Sequence, residues 1–326
     1  MSTEEARRRA PFARGESVAD GAGRLWAIVL AGGEGVRLRP LTRRVCGDDR
    51  PKQYAALTDA RSLLRQSLDR VALAIPDDRV TVVTHQNHDQ YLAAALAGAF
   101  RPRVLAQPQD RGTAAGVLFP AHWISWQDPE ATVAVFPSDH FILEEAAFMA
   151  HVQAVAAFVG QHPEWVVLLG ARATEAETEY GWIEPAEPIA ESAGASVRRV
   201  RRFWEKPSQE TARACLANGF LWNTFVLIAK AVTLIEAGKQ FLPDLTDRLS
   251  RIEPFAGTEH ERWAIRQAYL LAPTANFSRA ILEPCPPFLA VSPLPALTWS
   301  DWGTPDRVLE SLRAAGISPA WHRHGA

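Results

Sequence analysis

The sequence predicts a Rossmann-like α/β fold in which a mixed, mostly parallel sheet is flanked by helices. Three observations lead to this prediction. Apolar segments of strand length alternate with segments of helical periodicity. The apolar run at 26–31 stops abruptly at a glycine-rich loop, as expected of a strand that is buried on both faces and leads into a ligand-binding turn. With 326 residues and 47% hydrophobic content, the chain can also bury a large core.

Strands and helices alternate regularly through the first half of the chain. Helical periodicity predicts helices at 62–75, 88–100, 113–127 and 144–161. Apolar runs predict strands at 26–31, 79–84, 103–107, 132–136 and 165–170. This alternation is typical of parallel strands joined by right-handed helical crossovers, and ligands then bind at the carboxyl ends of the strands.

The pattern changes after residue 170. Extended segments are predicted at 180–184, 197–204, 222–228 and 288–291, and helices near 230–240, 243–253, 258–271 and 306–315. Ser208 is placed to cap a further helix, and Thr304 followed by Pro305 begins the last one. The arginines within 198–202 predict a solvated strand edge, and the proline-rich segment 284–295 a packed edge strand. We expect one domain over 25–326, in which residues 172–326 lie as a lobe across the strand ends of residues 25–171.

Composition argues against several classes of protein. The 35 basic and 37 acidic residues leave a formal charge of −2, which does not favour a nucleic-acid or membrane surface. No segment approaches the roughly 20 apolar residues of a membrane span. Three cysteines without metal-binding spacing fit a reducing cytoplasm. The polar residues 1–24 are expected to form a flexible leader.

The loop after the first strand has the composition of a phosphate-binding turn. Gly32, Gly33 and Gly35 allow the backbone to approach a ligand, and successive N–H groups can then converge on phosphate oxygens. Arg37 adds a cation with a planar fork of donors. A triphosphate is the expected ligand. The spacing fits neither the dinucleotide motif nor the P-loop, and a tight turn needs glycine whatever it binds, so a purely structural loop remains an alternative.

Several motifs then resemble one family. The loop is followed by Arg-Pro-Lys-Gln-Tyr at 50–54, and later segments read Phe-Pro-Ser-Asp-His at 136–140, Thr-Glu-Tyr-Gly-Trp-Ile at 178–183, Phe-Trp-Glu-Lys-Pro at 203–207, Leu-Trp-Asn-Thr at 221–224 and Asp-Trp-Gly at 301–303. In this order they resemble the motifs of the sugar-1-phosphate nucleotidyltransferases, most closely the mannose-1-phosphate guanylyltransferase branch. The resemblance extends from about residue 26 to 307. It implies a GT-A-like catalytic domain with a sugar-binding lobe.

The resemblance assigns roles to particular residues. It implies catalytic roles for Arg37, Lys52 and Asp139, and a Mg²⁺ site at Asp139 and Asp301. It implies nucleotide binding by Ala31, Gly32, Gly33, Gly35, Gln107 and Gly112. It implies sugar-phosphate binding by Tyr180, Gly181, Glu205, Lys206 and Asn223.

Elementary chemistry agrees with the expected charges of this site. A carboxylate at a strand end beside a phosphate loop suits Mg²⁺, although Asp139 can also cap a turn and Asp301 can also cap the last helix. The reaction must bring two anions together, so we expect cations from both sides, with Arg37 and Lys52 towards the nucleotide and Lys206 towards the sugar phosphate.

The expected reaction joins a nucleoside triphosphate to a sugar 1-phosphate and releases pyrophosphate, with GTP and mannose 1-phosphate preferred. Gln107 and Gly112 depart from the guanylyl pattern and leave dTTP or UTP with a glucose-type phosphate open. Val36 and Ser278 also depart from the family, which leaves a catalytically weak regulatory nucleotide-sugar binder as a second alternative. Relatives often dimerise, so the resemblance adds a homodimer as an expectation.

Overall fold

The computed structural model describes residues 24–98, 100–192, 194–319 and 321, so the predicted leader at 1–24 lies outside the described residues except for Arg24. The strands are Leu25–Leu30 (β1), Val80–His85 (β2), Arg103–Gln107 (β3), Thr132–Pro137 (β4), Phe141–Ile142 (β5), Val166–Arg172 (β6), Gly181–Ser192 (β7), Ala195–Glu205 (β8), Leu221–Lys230 (β9), Leu289–Pro293 (β10) and Trp299–Ser300 (β11). The helices are Arg39–Cys46 (α1), Leu63–Val71 (α2), Asp89–Ala95 (α3), Gly112–Gln127 (α4), Glu145–Gln161 (α5), Gln209–Ala217 (α6), Ala231–Phe241 (α7), Pro243–Ser250 (α8), Glu261–Leu270 (α9) and Pro305–Ala314 (α10).

One nine-stranded sheet connects the two halves of the chain. Its strand order is β3-β2-β1-β4-β9-β6-β10-β8-β7. All of these strands except β8 and β9 run in the same direction, which confirms the predicted mixed, mostly parallel sheet. Strand β9, from the second half, is inserted between β4 and β6 of the first half. The second half therefore continues the same domain.

Both predicted sheet edges are wrong, because β8 pairs with β7 and β10, and β10 pairs with β6 and β8. The arginines of β8 tolerate this interior position because β7 supplies the opposite charges. Arg199 pairs with Glu187 and also lies over the ring of Trp165, while Arg201 pairs with Glu184. The row of like charges therefore predicted an exposed edge. Carboxylates on the neighbouring strand neutralise these charges, so the strand can lie inside the sheet.

The helices differ from the prediction in several places, and α1 was not predicted. The predicted helix at 88–100 ends at Ala95, and shortly afterwards Gly98 takes a φ of +126°, which a helix cannot accommodate. A short π-helical turn at Ser278–Leu282 was not predicted. The predicted caps are confirmed, since the side chain of Ser208 accepts from the backbone N–H of Thr211 and that of Thr304 from Arg307.

Alternating side chains of the buried strands fill a core on each face of the sheet. In β1, Ile28 packs with the side of the sheet covered by α4, α7, α8 and α9. Its neighbours Ala27 and Val29 pack with the opposite side, covered by α2 and α5. This period of two on a sheet covered on both faces explains the continuous apolar run. Among the helices of the described residues, none combines the length and apolar character that a membrane crossing needs.

A small second sheet brings together two distant segments at the strand ends. Strands β5 and β11 pair antiparallel, with Phe141 opposite Ser300. The ring of Phe141 stacks on that of Trp302 at 4.8 Å. Because Asp139 precedes β5 and Asp301 follows β11 directly, the antiparallel register directs both aspartates to the same end of this small sheet.

Candidate functional site

The glycine-rich loop after β1 is held in place by the segment at 50–54. A Cβ on Gly35, whose φ is +60°, would lie 2.7 Å from the backbone nitrogen of Lys52, so glycine is required for this close approach. The buried amide of Gln53 donates to the carbonyl oxygens of Ala31 at 2.9 Å and Gly33 at 2.8 Å. These bonds engage carbonyl lone pairs that would otherwise repel an anion. Gln53 was missed as a site residue, although it lies within the motif that identified the family.

A cavity of about 270 Å³ lies beside this loop. It is lined by Gly35, Val36, Arg37, Leu38, Lys52, Asp139, Trp302 and Gly303. The three residues predicted to be catalytic, Arg37, Lys52 and Asp139, therefore surround one cavity at the carboxyl ends of the strands. Their roles stay predictions, but their proximity is a feature of the fold.

Lys52 connects the two predicted metal-binding segments. Its Nζ lies 2.9 Å from Asp139 Oδ2 and donates to the carbonyl oxygens of Asp301 at 2.6 Å and Trp302 at 3.2 Å. Burial alone would raise the pKa of Asp139, but the adjacent Lys52 ammonium outweighs it and holds that pKa below its ordinary value. Trp302 has a φ of +48°, a left-handed conformation that costs about 1–3 kcal/mol in a residue other than glycine.

Asp301 is oriented by three donors to one carboxylate oxygen. Its Oδ1 accepts from the Tyr180 hydroxyl at 2.6 Å, the Gly303 N–H at 2.8 Å and Arg307 at 3.2 Å. Burial, together with the neighbouring Asp301 charge, raises the pKa of Tyr180, so the phenol remains a donor. Tyr180 was predicted to bind the sugar phosphate, and in the structure its hydroxyl donates to Asp301. Arg307 was not predicted as a site residue.

The oxygen donors at this position fit a hard divalent cation. Asp139 supplies an ionised carboxylate, and Asp301 Oδ2 lies where a Cβ on Gly303 would be only 2.6 Å away, so glycine keeps that oxygen clear. Among the described residues, no group of three or more histidine, cysteine, aspartate or glutamate side chains could enclose a metal. Two carboxylates completed by substrate phosphates match the usual coordination of Mg²⁺.

A second cavity, of about 240 Å³, lies on the other side of the glycine loop. Its lining includes Gly32, Gly33, Glu34, His85, Gln107, Asp110, Gly112 and Thr113. The buried Tyr269 hydroxyl donates to Gln107 Oε1 at 3.0 Å. The Nε2 group of Gln107 then faces the loop, 3.4 Å from where a Cβ on Gly32 would stand. A side chain 162 residues away thus orients Gln107, and nothing local in the sequence indicated it.

Gly112 lines this cavity, but a separate constraint explains why it is glycine. Its φ is +75°, and a Cβ there would collide with the carbonyl oxygen of Ala275. Two backbone hydrogen bonds cross this contact. The N–H of Ala114 donates to the carbonyl oxygen of Ala275, and the N–H of Ala275 donates to the carbonyl oxygen of Arg111. The departure from the guanylyl motif at Gly112 therefore has a packing cause that is independent of base choice.

The predicted sugar-phosphate residues also come together. A Cβ on Gly181 would lie 3.1 Å from Glu205 Oε2 and 3.2 Å from Asn223 Cβ, so the three residues are immediate neighbours. Burial raises the pKa of Glu205, although the charge of Lys206 and a hydrogen bond from the Ser278 hydroxyl oppose that shift. The departure at Ser278 therefore places a donor beside Glu205.

Cations from the two halves of the chain meet at one carboxylate oxygen. Arg37 lies 3.1 Å and Lys206 Nζ 3.3 Å from Glu179 Oε2. Lys206 has a φ of +52°, a strained conformation of the kind that is concentrated at functional sites. Glu179 was not predicted as a site residue, and its position between the two cations was not predicted either.

The fold and this cleft define an α/β protein whose candidate ligand site lies at the carboxyl ends of its strands. Comparison then gives the family: residues 26–315 match the nucleotidyl transferase family, and the chain belongs to it.

Relatives with recorded names support the same family. The xanthan biosynthesis protein XanB of Xanthomonas campestris pv. campestris (strain B100) is 29% identical over 299 residues, which cover 90% of this chain and 61% of that protein. An Escherichia coli (strain K12) protein named mannose-1-phosphate guanylyltransferase is 28% identical over 293 residues, covering 86% of this chain and 58% of that one. The chain thus spans about three fifths of the length of these curated relatives.

A solved structure agrees with the fold. The crystal structure described as mannose-1-phosphate geranyltransferase from Thermus thermophilus matches with a TM-score of 0.73 at 26% identity, covering 88% of this chain and 79% of that chain.

Proposed function

We propose that the protein transfers a nucleotidyl group from a nucleoside triphosphate to a sugar 1-phosphate and releases pyrophosphate. The observation that carries this proposal is the meeting of Arg37 and Lys206, from opposite halves of the chain, at one point of the cleft. Two mutually repelling anions react in such a transfer, and cations from both sides lower the cost of bringing them together.

In the proposed reaction, an oxygen of the sugar 1-phosphate attacks the α-phosphorus of the triphosphate. The bond from that phosphorus to the bridging oxygen breaks, and pyrophosphate leaves with the electron pair. Mg²⁺ held by Asp139 and Asp301 would neutralise charge on the phosphates. Lys52 keeps Asp139 ionised and, through two backbone carbonyls, positions the segment that carries Asp301. Positioning and charge neutralisation supply most of the acceleration in chemistry of this kind.

We propose GTP and mannose 1-phosphate as substrates, giving GDP-mannose. The printed name of the Escherichia coli relative supports this choice. The second cavity, where we place the base and which we call the base cavity, supports it too, because the carboxylates of Glu34 and Asp110 line it. Carboxylates accept hydrogen bonds, and the guanine edge offers the donor N2–H₂ that a pyrimidine lacks.

A second candidate uses UTP or dTTP with a glucose-type phosphate. The orientation of Gln107 favours it, because Oε1 is occupied by Tyr269 and the amide therefore presents a donor to the cavity. A donor suits the O4 acceptor of uracil and thymine.

Pyrophosphate release separates these candidates. The full chain would be assayed with Mg²⁺ and four nucleoside triphosphates, each against mannose 1-phosphate and glucose 1-phosphate. We expect the GTP and mannose 1-phosphate pair to give the highest kcat/KM. A higher value with UTP or dTTP would establish the second candidate, and no release from any pair would contradict the transferase proposal and favour a binding protein.

A further inference from the structure

Glu179 occupies the position where the cations of the cleft converge. Its Oε2 contacts both Arg37 and Lys206, whose side chains are 52% and 43% exposed, while that of Glu179 is 48% exposed. All three groups can therefore be reached from solvent. These are also the cations that the proposed function assigns to the nucleotide and the sugar phosphate, so a carboxylate of this chain stands where phosphate oxygens are expected.

The backbone around Glu179 is fastened to the rest of the site. Its N–H donates to Glu177 Oε1 at 2.8 Å. The other carboxylate oxygen of Glu177 pairs with Arg307, which in turn donates to Asp301 and lies over the ring of Tyr180. Because these contacts anchor the backbone next to Glu179, the fold itself holds the Glu179 carboxylate beside the two cations. Its side chain can still turn away, since half of it is exposed.

We propose that Glu179 is an internal counter-anion, which bridges Arg37 and Lys206 in the free enzyme and is displaced when substrate phosphates bind. This inference rests on the proposed function. The carboxylate competes with phosphate for both cations at once. Both contacts are made to the single oxygen Oε2, so a phosphate oxygen that takes its place between the two cations has to displace both contacts. Glu179 therefore lowers the affinity of the free enzyme for phosphate anions.

The decisive experiment compares wild type with Glu179→Gln, which keeps the shape of the side chain and removes its charge. Isothermal titration of the full chain with pyrophosphate, and separately with inorganic phosphate, measures the two dissociation constants. Two half-exposed ion pairs are lost, so we expect pyrophosphate to bind about 3- to 10-fold more tightly to the variant. Inorganic phosphate binding should also tighten, by a factor no larger than that for pyrophosphate, because fewer of its oxygens can replace the two contacts.

A matched control is Glu236→Gln, which changes the net charge equally and breaks an exposed ion pair with Lys239 on α7. Its pyrophosphate affinity should stay within about twofold of wild type. The effect of Glu179→Gln should also shrink as the salt concentration rises, because exposed charges are screened over about 10 Å at 0.1 M ionic strength.

Kinetics provide a readout that a merely structural role would not move. With the best substrate pair, Glu179→Gln should lower KM for both substrates while kcat changes by less than about twofold, because the lost contact exists only in the free enzyme. Unchanged or weaker pyrophosphate binding by the variant would overturn the proposal, as would no measurable binding to either protein. Tighter binding without any turnover would instead leave this inference standing and contradict the proposed function.

Discussion

Replacing Tyr269 with phenylalanine tests how the base cavity is built. Tyr269 is fully buried, and burial raises the pKa of its phenol, so the hydroxyl is a donor at neutral pH. It donates to Gln107 Oε1 at 3.0 Å. Phenylalanine keeps the ring and its edge contact with Phe119 at 5.8 Å between centroids, so the substitution removes one hydrogen bond and little packing.

The size of the effect follows from the burial of the acceptor. Gln107 is only 4% exposed, so water cannot readily replace the lost donor. Leaving a buried acceptor unpaired costs about 1–3 kcal/mol, and we expect the free energy of unfolding to fall by that amount. The freed amide can also turn its oxygen towards the cavity. An acceptor there favours guanine, so the ratio of kcat/KM for GTP to that for UTP should rise by up to about tenfold.

Urea unfolding measures the first quantity, and pyrophosphate release with each nucleotide measures the second. Tyr91→Phe is a suitable control, because the Tyr91 ring stacks on Tyr54 beneath Arg50 and is not part of the base cavity lining. Its unfolding free energy should change by less than about 0.5 kcal/mol. If Tyr269→Phe behaved like this control in both assays, the hydroxyl would not orient Gln107 and the explanation of the cavity would be refuted.

Three further predictions concern the aspartate that we propose as a Mg²⁺ ligand, a glycine and a buried histidine. Asp139→Asn should lower kcat by about 10²–10³-fold. It should also lower the unfolding free energy by about 1–3 kcal/mol, because the buried Lys52 ammonium keeps a neutral acceptor but loses the carboxylate charge. Near-normal turnover in Mg²⁺ would contradict the assignment. Gly112→Ala should lower the free energy of unfolding in urea by about 2–4 kcal/mol. The control Gly47→Ala, at a similar φ of +79° but in open space, should lower it by about 1 kcal/mol. Equal losses in the two variants would show that the collision with the Ala275 backbone is unimportant. Burial lowers the pKa of His122 from 6.5 to about 4. Between these pH values the unfolded chain binds more protons than the folded protein, so the free energy of unfolding should fall by up to about 3 kcal/mol as the pH is lowered. His122→Leu should flatten this pH dependence, and an unchanged slope would refute the contribution of His122.

Much of the fold could be predicted because its causes are local. The buried strand β1 has two covered faces and is therefore an uninterrupted apolar run, and Gly35 after it takes a left-handed conformation that other residues rarely adopt. The helix caps at Ser208 and Thr304 need only residues three positions away. The motifs around Arg37, Lys52 and Asp139 also predicted residues that surround one cavity.

Other features could not be predicted because they depend on where distant segments arrive. The arginines of β8 indicated an edge, and only the cross-strand partners Glu184 and Glu187 permit an interior strand. The effect of Gly112 on base specificity stays a prediction, and only the structure shows that the carbonyl of Ala275 leaves no room for a side chain there.

By itself, then, the sequence determined the α/β class, the glycine-rich loop after the first strand and the family to which the chain belongs, because these depend on periodicity, turn chemistry and short motifs. Only the tertiary structure decided how the site residues are oriented and paired. Tyr269 reaches Gln107 across 162 positions of sequence, and Glu179 is 142 positions from Arg37. Such pairs are set by the path of the whole chain through the sheet. No local pattern encodes that path, since each partner alone has the sequence surroundings of an ordinary core or surface residue.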